Sequence, residues 1–78
     1  MDYIEVKITG LKDFDPDIVV AFLSELEFES FSENEEGLLA FCRSDLYNEP
    51  KVTSYLRQLH EATGAEYSVR AIPPENWN

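Results

Sequence analysis

Asp13, Asp15 and Asp17 stand at alternate positions, the spacing with which a calcium-binding loop opens. The pattern then fails, because Ile18 occupies the place of that loop's glycine and Ser24 the place of its bidentate glutamate. Helix initiation accounts for two of the same residues. Asp15 can cap free amides, Pro16 supplies a helical φ at the first position, and Asp17 interacts favourably with the helix dipole. Cys42 is the one cysteine and has only Arg43 as a basic neighbour, so it reads as a small buried hydrophobe and not as a nucleophile. His60 lies at the edge of a helical apolar stripe beside Leu56 and Leu59, and a base without a placed nucleophile performs no acyl transfer. Glu35 and Glu36 fall on a hairpin tip, where hydration leaves carboxylates ordinary. The three glycines are isolated turn residues, so no phosphate-cradling loop is present. These residues assign no catalytic, metal or cofactor site to the chain and predict a binding domain rather than an enzyme.

Size and charge narrow the partner. Seventy-eight residues make one small domain, which buries only about 60% of its unfolded surface in a single two-layer core. A hydrophobic fraction of 44% with ten aromatics predicts folding despite a formal net charge of -10. From Asp13 to Cys42 there are nine acidic residues and no Lys or Arg, so one side of the domain should repel polyanions. A lone cysteine excludes an intramolecular disulfide. No apolar run approaches the roughly 20 residues of a membrane span, and Met1-Asp2-Tyr3 is an acidic start unlike a signal peptide. The expected setting is cytoplasmic, without membrane contact.

Six elements must position whatever binds. Tyr3 to Thr9 alternates strictly, with Ile4, Val6 and Ile8 on one face and Tyr3, Glu5 and Lys7 on the other. After Gly10, the Asp15-Pro16 start leads into a helix with Ile18, Val19, Phe22, Leu23 and Leu26 as its stripe. A hairpin follows, from about Phe28 to Ser32 and back over Leu38 to Arg43, turning at Asn34-Glu35-Glu36-Gly37. Leu38, Ala40 and Cys42 are taken as inward, Leu39 and Phe41 as outward. Asn48 caps a second helix with Pro50 in its first turn and Val52, Tyr55, Leu56, Leu59 and Ala62 buried, closed by Gly64. A fourth strand puts Tyr67, Val69 and Ala71 on one face and Ser68, Arg70 and Ile72 on the other, before Pro73-Pro74. The expected fold is α+β, a ferredoxin-like split βαββαβ: a four-stranded antiparallel sheet with two helices on one face.

The uncovered sheet face is then the candidate site. Tyr3, Glu5, Glu29, Phe31, Glu33, Phe41 and Arg70 are its expected partner-binding residues, together with Lys7 and Leu39. RNA-recognition motifs share the architecture and stack bases on sheet aromatics. Six bases against sixteen acids cannot neutralise phosphates, however, so a protein and no nucleic acid is the expected partner.

Tyr3-Ile4-Glu5-Val6, Phe28-Glu29-Ser30-Phe31 leading to Glu36-Gly37-Leu38 and Ala40-Phe41, and the ending Glu75-Asn76-Trp77-Asn78 resemble the amino-terminal domain of the bacterial ribosomal protein L11 methyltransferases, the PrmA family. The resemblance covers nearly the whole chain. It implies a domain over residues 1–72 that recognises the ribosomal protein substrate, with residues 73–78 beginning a linker. It further implies a separate catalytic domain, beyond Asn78, that binds S-adenosylmethionine and methylates lysine and amino-terminal amines. No cofactor is expected in the present chain. An alternative from another class is a small-ligand regulatory or protein-interaction domain of the ferredoxin-like kind.

Overall fold

Alternating side chains in Tyr3–Thr9 form strand β1, which lies inside the sheet and pairs on both sides. The computed structural model describes residues 2–11 and 15–72. Helix α1 (Pro16–Glu25), strands β2 (Phe28–Glu33) and β3 (Gly37–Arg43), helix α2 (Glu49–Thr63) and strand β4 (Glu66–Ile72) complete the order βαββαβ. Every strand pairing is antiparallel, in the spatial order β2-β3-β1-β4. This is the ferredoxin-like split fold.

The helix ends follow from their capping residues. Asp15 Oδ1 accepts the Asp17 amide at 2.9 Å, with Pro16 at the start of the first turn. Asn48 Oδ1 accepts from the Lys51 amide at 3.3 Å. Gly64 ends α2 at φ 78°, donating its N–H to the His60 carbonyl at 2.8 Å. At the end of α1 that left-handed position is held instead by Glu27 at φ 74°, a conformation that strains a side chain with a Cβ.

One core lies between the sheet and the two helices. Val6 and Ile8 of β1, Leu38, Ala40 and Cys42 of β3, Val19 and Leu23 of α1, and Val52, Leu56 and Leu59 of α2 are all buried. Each large aliphatic side chain there contributes about 1.5–3 kcal/mol. No charged side chain is buried among the described residues. The inward set Leu38, Ala40 and Cys42 is therefore as the sequence predicts.

Three expectations need correction. In α1 the buried residues are Val19 and Leu23, with Val20 and Leu26 packed at the margin, while Ile18 and Phe22 are exposed. The sheet takes a stripe narrower than the apolar one. Phe22 instead stacks on Tyr55 of α2, with ring centroids 3.9 Å apart and planes within 10° of parallel. Ala62 is likewise exposed, one turn beyond the last buried residue of α2. On β4, Tyr67 and Val69 pair with Ile8 and Val6 and so share the core side of the sheet, yet they remain 37% and 40% exposed. They stand on an edge strand that the helices do not fully cover.

A fourth correction concerns β2. Phe28 pairs with Cys42, but the next pair is Ser30 with Phe41, so Glu29 and Ser30 together oppose one residue. This β-bulge shifts every later side chain to the opposite face. Phe31, opposite Ala40, packs against the core, and Glu33, opposite Leu38, takes the helix side.

Candidate protein-binding surface

Rows of side chains cross the open face of the sheet, built by the cross-strand register. Ser30, Phe41, Glu5 and Arg70 form the central row; Ser32, Leu39, Lys7 and Ser68 form a second; Arg43, Tyr3 and Ile72 form a third. Of the seven predicted contact residues, Tyr3, Glu5, Glu29, Phe41 and Arg70 are brought together here. Phe31 and Glu33 are not, because the bulge turns them to the other side.

Local packing gives this face an apolar centre. Phe41 and Leu39 of β3, Tyr3 of β1 and Ile72 of β4 are each only partly exposed. Glu5 lies between Phe41 and Arg70 with its side chain 15% exposed, and Nε of Arg70, whose side chain is 72% exposed, meets its carboxylate at 3.0 Å. The other cations on these strands are also matched by acids. Lys7 lies 3.4 Å from Glu36, and Arg43 makes a two-pronged contact with Asp45 at 2.8 and 3.2 Å. A phosphate backbone arriving here would meet cations already neutralised, on a chain of net charge -10. The same pairs neutralise Glu5, Glu36 and Asp45, so the face offers a partner its apolar centre and the charge of Glu29, on a chain whose net charge favours a cationic partner.

Glu29 joins the face through Tyr3. A hydrogen bond with the Glu29 carboxylate, and then that carboxylate's charge, raise the Tyr3 phenol above its ordinary pKa. At the hairpin tip Asn34 Oδ1 accepts from the amides of Glu36 and Gly37, both at 2.9 Å, which holds Glu36 within reach of Lys7.

The residues that could have carried chemistry are otherwise engaged. Cys42 is fully buried, its Sγ 3.3 Å from the Arg43 carbonyl, and burial raises its thiol pKa. His60 Nδ1 lies 2.7 Å from the Ala65 carbonyl, tying the end of α2 to the start of β4. Asp15 caps α1 and Asp17 lies in its first turn, while Asp13 falls outside the described residues. No cluster of three metal-ligating side chains occurs among the described residues, and no described helix is long and apolar enough to cross a membrane.

Ser30 and Ser32 of β2, and Arg43 and Ile72 at the far row, belong to the face without having been singled out as contacts. A signal for the serines exists in the sequence. Phe28 and Phe31 are three residues apart, and both can face one core only if the strand carries an extra residue between them.

Known proteins supply the remaining information. No protein-family model matches the chain, and no solved structure matches it. The ribosomal protein L11 methyltransferase of Phocaeicola vulgatus is 31% identical over 81 residues, an alignment covering all of this chain and 29% of the relative. The ribosomal protein L11 methyltransferase of Bacteroides fragilis is 35% identical over 63 residues, covering 80% of this chain and 22% of the relative. The chain thus spans less than a third of the length of the relatives it matches.

Proposed function

This chain belongs to the ribosomal protein L11 methyltransferase family, and we infer that it is the part of such an enzyme that docks the protein substrate. The observation that carries this reading is the open sheet face: an apolar centre at Tyr3, Leu39 and Phe41, framed by Glu5, Glu29 and Glu36, with its cations paired internally. Ribosomal protein L11 is the partner proposed for it, in the cytoplasm. Lysine side chains and the amino terminus are the proposed methyl acceptors.

The described residues do not fit S-adenosylmethionine. Gly10 is the one glycine between β1 and α1, so the glycine-rich strand-to-helix turn that admits a nucleoside cofactor is missing there. Methyl transfer is assigned to a catalytic domain beyond residues 1–72, with residues 73–78 starting the connection. The role left to this chain is positional. Holding an amine in attack geometry removes translational and rotational freedom that would otherwise enter the barrier, an effect worth up to about 7–11 kcal/mol in well-oriented systems. Acids around the docking face would speed encounter with a basic protein more than they add affinity.

A chemical-shift titration of the isotopically labelled chain with ribosomal protein L11 tests the reading. Shifts should concentrate on Tyr3, Glu5, Leu39 and Phe41, and S-adenosylmethionine alone should shift nothing. Shifts confined to α1 and α2, or no binding at all, would remove the assignment.

A further inference from the structure

Strand β4 is paired with β1 along one side, and among the described residues its other side has no strand neighbour. Its outward N–H and C=O groups form a template for another strand. The pairing with β1 is regular from Glu66 to Ile72, with neither bulge nor proline to twist the edge away. Tyr67 and Val69 stand beside that edge on the helix side, 37% and 40% exposed. The strand carries one acid, Glu66, and one base, Arg70.

We propose that β4 is a self-association edge: two copies of the chain pair β4 with β4, antiparallel about a two-fold axis at Ser68, and join their sheets. Such a contact is self-complementary, each side supplying the same residues. With Ser68 opposite Ser68, Glu66 faces the second copy's Arg70, and by symmetry the reverse pair forms as well. Tyr67 faces the second copy's Val69, an aromatic against a β-branched side chain, again twice. Residues directly opposite one another share a face, so the ion pairs fall on the open side and the apolar pairs on the helix side. Moving the axis to Val69 would set Glu66 against Ile72 and Arg70 against Ser68, losing both ion pairs. Arg70, whose side chain is 72% exposed and meets Glu5 through Nε, keeps its other guanidinium nitrogens for the second copy's Glu66.

The net charge of -10 does not forbid this contact, because the acids gather at the other end of the sheet. The eight acids from Asp15 to Glu36 lie on or beside α1, β2 and the hairpin, and the one that reaches toward β1, Glu36, is paired with Lys7. Edge strands of a four-stranded sheet are separated by roughly 14 Å, beyond the Debye length of about 8 Å at physiological salt.

Sedimentation equilibrium of the 78-residue chain, over a concentration series into the millimolar range, provides the test. The apparent mass should rise from 9.0 kDa toward twice that value. Glu66→Arg and Arg70→Glu should each abolish the rise, since each sets like charges opposite. Mixing the two variants in equal amounts should restore it, since one then contributes only bases and the other only acids at the paired positions. Circular dichroism confirms that both variants fold. A parent that stays at 9.0 kDa throughout, single variants that associate as well as the parent, or folded variants whose mixture remains monomeric would each overturn the proposal.

Discussion

The two edges of the sheet, β2 and β4, are built on opposite terms. β2 carries a bulge, the acids Glu29 and Glu33, and a hairpin tip with Glu35 and Glu36, each of which discourages a strand from adding to it. β4 is flat in register, nearly neutral, and flanked by exposed Tyr67 and Val69. Natural sheets usually blunt both edges. Here the bulge also decides which aromatic faces outward, so edge protection and the composition of the docking face are set by one inserted residue.

The largest test of this contrast is at the turn that ties β2 to the sheet. A Cβ at Gly37 would overlap the Ile8 carbonyl oxygen of β1, so Gly37→Ala should destabilise the fold by about 3 kcal/mol. Urea unfolding measures it; a loss under about 1 kcal/mol would mean that the hairpin and β1 separate easily.

Next comes the bulge itself. Phe31→Ala should cost about 2 kcal/mol of stability, less than a fully buried phenylalanine because Phe31 is half-buried. Phe41→Ala should cost less stability but weaken substrate binding by about 1–3 kcal/mol if it is an interfacial anchor. Equal stability losses, with equal effects on binding, would show that the faces of β2 have been misassigned.

A smaller effect is expected where α1 enters β2. Replacing Glu27, held at φ 74°, by Gly should raise stability by up to about 1 kcal/mol, since Gly adopts this region without a Cβ clash. A loss of stability on Glu27→Gly would mean that the side chain contributes more than its backbone strain removes.

The smallest effect distinguishes the Tyr3–Glu29 contact. Tyr3 has a raised folded-state pKa, so it holds its proton more tightly folded than unfolded. Its contribution to stability is present below the ordinary tyrosine value of about 10 and is lost as pH rises through the folded value. Tyr47 and Tyr55, raised first by burial, act with the same sign. Ultraviolet titration should show one phenol returning toward its ordinary range in Glu29→Gln. An unchanged titration curve would separate Tyr3 from β2.

Much of this was legible in the sequence because local and global preferences agree. Period-two alternation in β1, Asp15-Pro16, Asn48 and Gly64 each encode one conformation, and the structure adopts it; β3 is apolar at both alternating sets, and only the small size of Ala40 and Cys42 pointed to its inward face. The failures lie where tertiary geometry overrides a local pattern. An apolar helix stripe does not state how wide a stripe the sheet accepts, so the pattern includes Ile18 and Phe22, which the structure leaves exposed. A strand rich in serine and glutamate gives weak alternation, so β2 was read straight through its bulge, misplacing Phe31 and Glu33. Position in the sheet is invisible to a strand's own residues, and that left Tyr67 and Val69 expected inside when they stand at an open rim.

Cys42 lies on the core side of the sheet, on a strand flanked by β1 and β2, with no solvent exposure. Its thiol is both sealed off and held in the protonated form by burial. An alkylating reagent in solution can therefore reach it only when the sheet opens. With reagent in excess and reclosing fast, the alkylation rate is proportional to the population of open molecules. The single native thiol thus serves as an internal clock for the opening of the sheet's interior, readable by mass without any added label.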